Sequence, residues 1–428
     1  NEMLQRIYGT AFGSAKELEA YLARQEEARA RDHRKLGQEL DLFSFDPHAP
    51  ATPFFHPKGA VLYNGLVDYI REKLREGGYG EVITPQILDV ELWHQSGHYA
   101  NYQDAMFFTE SEDKQLAVKP MNCPTHCLIF GTRLRSYRDL PIRYADFGRL
   151  HRNERSGVTA GLVRVRSFAQ DDAHVFCTDE QVEDEVMALV RTILAIYEDF
   201  RFEDVLIEVS TRPEKSLGTA EMWAKAESAL QAALDRHDIA YELNEGEGAF
   251  YGPKIDFQVS DALGRQWQLG TVQLDYQMPE RFGLTFVGAD GAEHRPVMIH
   301  RAMLGSIERF LGILIEHTAG AFPVWLTPVQ AIVLPVSEKF RAYAETVHAR
   351  LEEAGLRAEL DTRDEKLGFK IREAQLQKVP YMLVVGAREE ENGTVAVRLR
   401  TEEDLGAMGV AELVGRVQTK TTERSHEL

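Results

Sequence analysis

The sequence predicts an α+β protein: a large antiparallel sheet flanked by helices, followed by a smaller α/β unit with a mixed sheet. Three observations lead there. Between 142 and 300, short β-like runs dominate, at 142–149, 162–170, 204–210, 255–259, 266–274 and 295–299, with helical patterns at 179–200 and 219–237. That is not the regular strand–helix alternation of a parallel nucleotide-binding sheet. The pattern changes at Phe322-Pro323, beyond which strands and helices alternate. And 428 residues exceed what one core normally fills, at ~100–200 residues per domain.

In chain order, residues 14–40 read as one long, charge-rich connector helix that opens with a Ser14/Glu17 capping box. A Pro- and Phe-rich loop follows. Val61, Leu62, Leu66, Tyr69, Ile70 and Leu74 recur at helical spacing, so 58–76 is an amphipathic helix stopped by Gly77-Gly78. Glu81-Val82-Ile83-Thr84 reads as a strand that Pro85 ends. After the β-rich stretch comes an apolar helix, Met303 to Glu316. Past the seam the pattern gives strands at 329–336, 357–361, 381–386 and 394–400, with helices at 338–354, 366–378 and 410–420. The expected domains are a connector at 1–40, a catalytic domain at 41–323 and an α/β domain at 324–428.

Lys plus Arg is 49 and Asp plus Glu is 68, a net charge of −19. This excludes a protein that coats a polyanion with its whole surface. The acidity is uneven: residues 325–428 hold 15 basic and 18 acidic side chains. No apolar run reaches the ~18 residues of a membrane span, and no basic-then-apolar leader opens the chain. Cys123, Cys127 and Cys177 are few and odd in number, which points away from a disulfide framework and to a reducing, cytoplasmic setting. The chain starts at Asn1 rather than Met, and is read as a fragment of something longer.

No GxxxxGK[ST], CxxC, HExxH or GxSxG occurs, and the glycines of Gly246–Gly252 are mis-spaced for a dinucleotide loop. One segment is chemically dense: Arg149–Glu154, a polar loop, then Arg164–Asp172. Arginine binds phosphate bidentately at any pH, phenylalanine stacks on a base, and a glutamate accepts from an exocyclic amine. That set suits ATP without a P-loop, and it equally suits a charged antiparallel hairpin.

Arg152-x-Glu154 with Arg164-x-x-x-Phe168 resembles motif 2 of the class II aminoacyl-tRNA synthetases. The helix and strand ending at Pro85 resemble motif 1, and Gly305-Ser306-Ile307-Glu308-Arg309 resembles motif 3, all in the expected order. Within that class, Lys119–Pro124, Gln170–His174, Gly246–Lys254 and Val297–Arg301 resemble the threonyl-tRNA synthetase family, and the likeness runs along essentially the whole chain.

The resemblance implies one zinc ion held by Cys123, His174 and His300, gaps of 51 and 126 residues that spacing alone does not reveal. Three protein ligands leave an open position, the mark of a working site. It implies ATP contacts from Arg152, Glu154, Arg164, Phe168, Lys254, Gln268 and Arg309, with Mg²⁺ on the triphosphate. It implies a threonine pocket of Met121, Gln170, Asp172, Tyr251 and Gln273, and a part for His98 in acyl transfer beside catalytic Arg152 and Arg309. The C-terminal domain resembles an anticodon-binding domain, with Arg363, Glu389 and Arg398 at the base-reading positions and Lys366, Lys370, Arg372 and Lys378 suited to phosphates. The expected partners are tRNA(Thr), ATP, L-threonine and a second copy of the chain, with no membrane. The family's N-terminal editing domain has no counterpart in these residues, so serine mischarging is expected. The family usually shows Asn at the position of Asp364, and an ionised Asp only accepts hydrogen bonds. Two other readings stay open: a synthetase for another amino acid of the subgroup, such as proline, and a synthetase-like module without catalysis.

Overall fold

The computed structural model describes residues 9–202 and 204–428. An eight-stranded sheet forms its centre. From edge to edge the strands are Glu242–Asn244, Val205–Ser210, Lys254–Ser260, Gln266–Asp275, Val297–Ala302, Asp172–Cys177, Ile142–Asp146 and Gly80–Glu81. The six inner strands pair antiparallel and both edge pairings are parallel. One face packs on the helices Val182–Asp199, Ala220–Arg236, Pro57–Glu76 and Ile307–Thr318, which share a large apolar core with it. The sheet is buried on that side by the periodic Val and Ile of its strands, as an amphipathic layer requires.

Register decides what the other face carries. His174 pairs with His300, His300 with Gln273, and Gln273 with Lys254. Side chains alternate faces along a strand, so these four share one face in one row. The next row on the same face holds Asp146, Asp172, Ala302, Thr271 and Asp256. Both rows lie at the floor of the site.

The second domain is a five-stranded sheet in the order Ala358–Leu360, Ala331–Pro335, Tyr381–Val385, Thr394–Leu399, Asp404–Gly409. The first three strands are parallel and the rest antiparallel, giving the mixed sheet the sequence predicts. Phe322 and Leu326 belong to the first core while Val324 belongs to the second. The crossing is clamped by two arginines: Arg400 donates to the carbonyls of Phe322 and Ala321, and Arg357 to those of Val324, Trp325 and Thr327.

The structure redraws several elements. The connector is two helices, Ala15–Arg31 and His33–Glu39, because Asp32 leaves helical geometry to cap the second, accepting the Arg34 N–H at 2.8 Å. Ser14 accepts the Glu17 N–H, but the Glu17 carboxylate reaches the Gly13 N–H instead of closing the box on Ser14. The strand at 81–84 shrinks to Gly80–Glu81, and Ile83 stands 93% exposed. The run 142–149 breaks at Phe147-Gly148, giving the separate strand Arg149–His151. The run 162–170 narrows to Ser167–Ala169, since Ala160 and Arg164 pair across a tight loop. The last apolar helix starts at Ile307, not Met303: Gly305 turns the chain at φ +77° and Ser306 caps the helix. The patterns also miss the hairpin Phe107–Ser111/Lys114–Val118, the helix Cys123–Phe130 and the strand Asp404–Gly409. Asn1 lies outside the described residues.

Candidate active site

Two cavities open on the polar face of the large sheet. One, about 370 Å³, is lined by Arg152, Glu154, Arg164, Phe168, Gln268 and Arg309 among others. The other, about 390 Å³, is lined by Met121, Cys123, Asp172, His174, Tyr251, Lys254, Gln273 and His300. Arg152, Gln170, Thr271 and Ala302 line both, so the cavities adjoin at Arg152.

The first cavity is strongly cationic. Arg309, in the first turn of its helix, is held by the carbonyls of Val163 and Gln268 at 3.1 and 3.2 Å. Burial lowers its pKa, and the like charges of Arg164 and Arg152 add to this. Arg152 lies 5.0 Å over the Phe168 ring and 5.7 Å from that of Tyr102, and donates to the Pro120 carbonyl. Neither Arg152 nor Arg309 has a carboxylate partner among the described residues. With Arg309 using Nε and Nη1 and Arg152 using Nε on carbonyls, Nη2 of Arg309 and both terminal nitrogens of Arg152 are left to meet an anion. Glu154, in contrast, is occupied: Arg164 binds its Oε2 at 3.0 Å. Behind them the buried Glu308 takes Arg149 at 2.6 Å and the Ala169 N–H at 3.0 Å, locking the third-motif helix to the hairpin. Lys254 and Gln268 both bind Asp256, at 2.5 and 2.7 Å, so that carboxylate aims the two of them.

In the second cavity, donor atoms of Cys123, His174 and His300 all lie within 4.8 Å of one another, and all three residues are buried. Zinc bonds of ~2.0–2.3 Å to S and N draw such a set together. The remaining ring nitrogens are spoken for. His300 Nε2 meets Asp275 Oδ2 at 2.9 Å, and His174 Nδ1 meets His126 Nδ1 at 2.8 Å. That leaves His300 Nδ1 and His174 Nε2 to face a metal, with the partners fixing ring orientation. Burial lowers the His174 pKa, which keeps it neutral and able to ligate. The residues therefore fit a zinc ion. Asp172 binds the Asn122 amide at 3.0 Å, and burial pushes its carboxyl up to about 6. Tyr251 stacks on His300 at 4.7 Å and its hydroxyl donates to Gln273.

His98 is the expected residue that lines neither cavity. It is fully buried, with Nδ1 on Ser96 at 2.8 Å and Nε2 facing Met121 sulfur at 3.1 Å. Burial pushes its pKa down to about 3, so it is neutral. In the second domain, Arg363 and Glu389 follow the C-terminal ends of parallel strands, while Arg398 pairs with Met382 further along the sheet. Arg363 is bound to Asp361 at 2.7 Å, and Glu389 accepts the Gly386 N–H at 2.9 Å. Lys370 departs from the expected phosphate face: it is 3% exposed and donates to the carbonyls of Pro335 and Asp361.

Sequence reasoning passed over Asp275, Asp256 and His126. His126 sits three residues after Cys123 on one helix face, a signal that was readable. The other two show only once strand register is known.

An antiparallel sheet bearing an arginine-lined cavity between a β-hairpin and a capped helix defines the core of a class II aminoacyl-tRNA synthetase. Comparisons agree. Residues 107–318 match the family model described as tRNA synthetase class II core domain (G, H, P, S and T), and 330–420 match an anticodon binding domain. A threonine–tRNA ligase of Acetivibrio thermocellus is 56% identical over 97% of the chain, and one of Clostridium tetani 53% identical over 99%. The chain spans 66% of the length of each. A crystal structure described as the RNA binding domain of threonyl-tRNA synthetase from Cryptosporidium parvum superposes with TM-score 0.88 at 46% identity, covering 91% of this chain and 98% of that one. The chain belongs to the threonyl-tRNA synthetase family.

Proposed function

We propose that the protein activates L-threonine with ATP and transfers it to the 3′ end of tRNA(Thr). The observation that carries this reading is the adjoining of the two cavities at Arg152. ATP occupies the cationic cavity, its adenine against Phe168, its γ-phosphate on Arg309, and its remaining charge shared by Arg164 and Mg²⁺. Threonine occupies the other cavity, its amino group, neutral where it would meet a metal, facing Asp172 and Tyr251. Arg152, common to both, holds the α-phosphate against the threonine carboxylate and stabilises the charge that builds as one attacks the other. The products are threonyl-adenylate and pyrophosphate, and a ribose hydroxyl of tRNA then takes the threonyl group.

A zinc ion on Cys123, His174 and His300 would supply Lewis-acid recognition of the substrate's amino and hydroxyl groups. Valine lacks the hydroxyl and is rejected. Serine keeps it, and one methyl is worth only ~1–3 kcal/mol. Residues 1–428 assayed alone should therefore charge serine. Absence of seryl-tRNA under conditions that yield threonyl-tRNA would refute this.

His98 supports transfer from behind the zinc ligands, since it is sealed from both cavities. The second domain takes the anticodon through Arg363, Glu389 and Arg398. A second copy packs on the first motif and the strand just after it, where Ile83 and Ile87 are 93% and 53% exposed. Sedimentation at micromolar concentration tests this; a monomer would refute it. Among the described residues no helix is long and apolar enough to cross a membrane. The three free, buried cysteines support a cytoplasmic setting. Threonine-dependent ATP–pyrophosphate exchange tests the whole reading; a chain that binds ATP without exchange would be a non-catalytic module.

A further inference from the structure

A second cluster, Asp32, His33 and Glu316, brings its donor atoms within 4.8 Å. It is not free to take a cation, because both nitrogens of the buried His33 ring are engaged. Nδ1 lies 2.6 Å from Glu316 Oε1, and Nε2 lies 3.0 Å from the Leu162 backbone nitrogen. A backbone amide only donates, so Nε2 accepts and the ring proton sits on Nδ1, pointing at the carboxylate. Glu316 is fixed in turn. It accepts the His33 backbone N–H at 3.1 Å and binds Arg265, which also holds Asp261.

The bond to Leu162 reaches the reactive part of the molecule. Leu162 is fully buried in the loop between Arg152 and Ser167. On one side Gly161, at φ +49°, lies against His33: a Cβ there would stand 2.1 Å from Nε2. On the other, Gly312 of the third-motif helix leaves room for Leu162 and Val163, which a Cβ would meet at 3.1 and 3.2 Å. The next carbonyl, that of Val163, is one of the two that hold Arg309, and Val163 and Arg164 both line the ATP cavity. His33 itself lines neither cavity and lies outside both matched family segments.

We propose that His33 is a positioning residue for ATP: by accepting the Leu162 amide it pins the second-motif loop to the third-motif helix and so aims Arg309. This rests on the ATP reading above. The Glu316 bond docks the connector, and the Leu162 bond sets the site. The two are separable, because an Asn amide occupies the place of Nδ1 and a Gln amide the place of Nε2. His33→Asn keeps the partner on Glu316 and orphans a buried N–H; His33→Gln keeps an acceptor for Leu162.

The test is ATP affinity by titration calorimetry for wild type, His33→Asn and His33→Gln, with amide hydrogen exchange at Leu162 and threonine-dependent pyrophosphate exchange in parallel. His33→Asn should weaken ATP roughly tenfold and speed Leu162 exchange, while His33→Gln stays within about twofold of wild type. Equal ATP affinity in all three, or equal loss in both variants, overturns the proposal. Wild type that binds ATP without pyrophosphate exchange defeats the assigned reaction, and the two variants still judge the positioning role. Wild type that binds no ATP overturns both.

Discussion

Arg309 and Arg152 owe their availability to what surrounds them. Each is braced by backbone carbonyls, not carboxylates, so charge is positioned without being neutralised. Arg309→Ala should cut ATP–pyrophosphate exchange by about 10²–10³-fold, as removal of a preorganised donor at developing charge does. Exchange at the wild-type rate would contradict this. Lys370 behaves oppositely. Its ammonium is buried on two carbonyls, so Lys370→Met should lower the midpoint of thermal unfolding of the second domain while leaving tRNA affinity within about twofold of wild type. A large loss of tRNA affinity with unchanged stability would restore it to the phosphate face. At this scale most of the residues that line the two cavities were legible through motif resemblance. Their partners were not. Nothing in the order of residues says that Glu154 meets Arg164, that Asp256 aims Lys254 and Gln268, or that Lys370 turns inward.

Elements succeed or fail on local chemistry. The third-motif helix begins where Gly305 and Ser306 put it. An alanine at Gly305 would carry φ +77° and set its Cβ 2.8 Å from the Leu269 carbonyl oxygen. Gly305→Ala should therefore cost at least ~1–2 kcal/mol in urea unfolding; an unchanged midpoint would contradict the turn. The connector break at Asp32 makes a pH prediction. The Arg34 side chain pulls the Asp32 carboxyl from 3.8 to about 2. Burial pushes Glu316 up, but the bonds from His33 and Arg265 hold it below its ordinary value. Depressed carboxylates add stability above their unfolded values and lose it as pH falls through the folded ones. Connector docking should thus weaken from about pH 4 toward pH 2, read as faster amide exchange over 33–39. Glu316→Gln should flatten that loss; an unaltered acid profile would contradict the assignment. Helices with long apolar periodicity, 58–76 and 179–200, were legible to within a few residues. The sheet's short strands were broken by turns such as Phe147-Gly148, because a three-residue strand leaves too little pattern to mark its ends.

At the scale of the molecule, register does what sequence distance hides. Strand pairing puts His174 beside His300, and the start of the helix Cys123–Phe130 brings Cys123 to within 4.8 Å of them, across gaps of 51 and 126 residues. The α+β class and the change of pattern near Phe322-Pro323 were legible because hydrophobic period and composition shift there. The meeting of two cavities at Arg152 was not, since it depends on which strands are neighbours. The net charge of −19 likewise conceals a cavity bearing three arginines. One measurement bears most directly on the account: ATP–pyrophosphate exchange with threonine, valine or no amino acid, before and after zinc is stripped by a chelator and returned. Exchange that requires threonine, ignores valine, falls on stripping and recovers with zinc is the predicted result. Exchange indifferent to zinc, or none with threonine present, would contradict it.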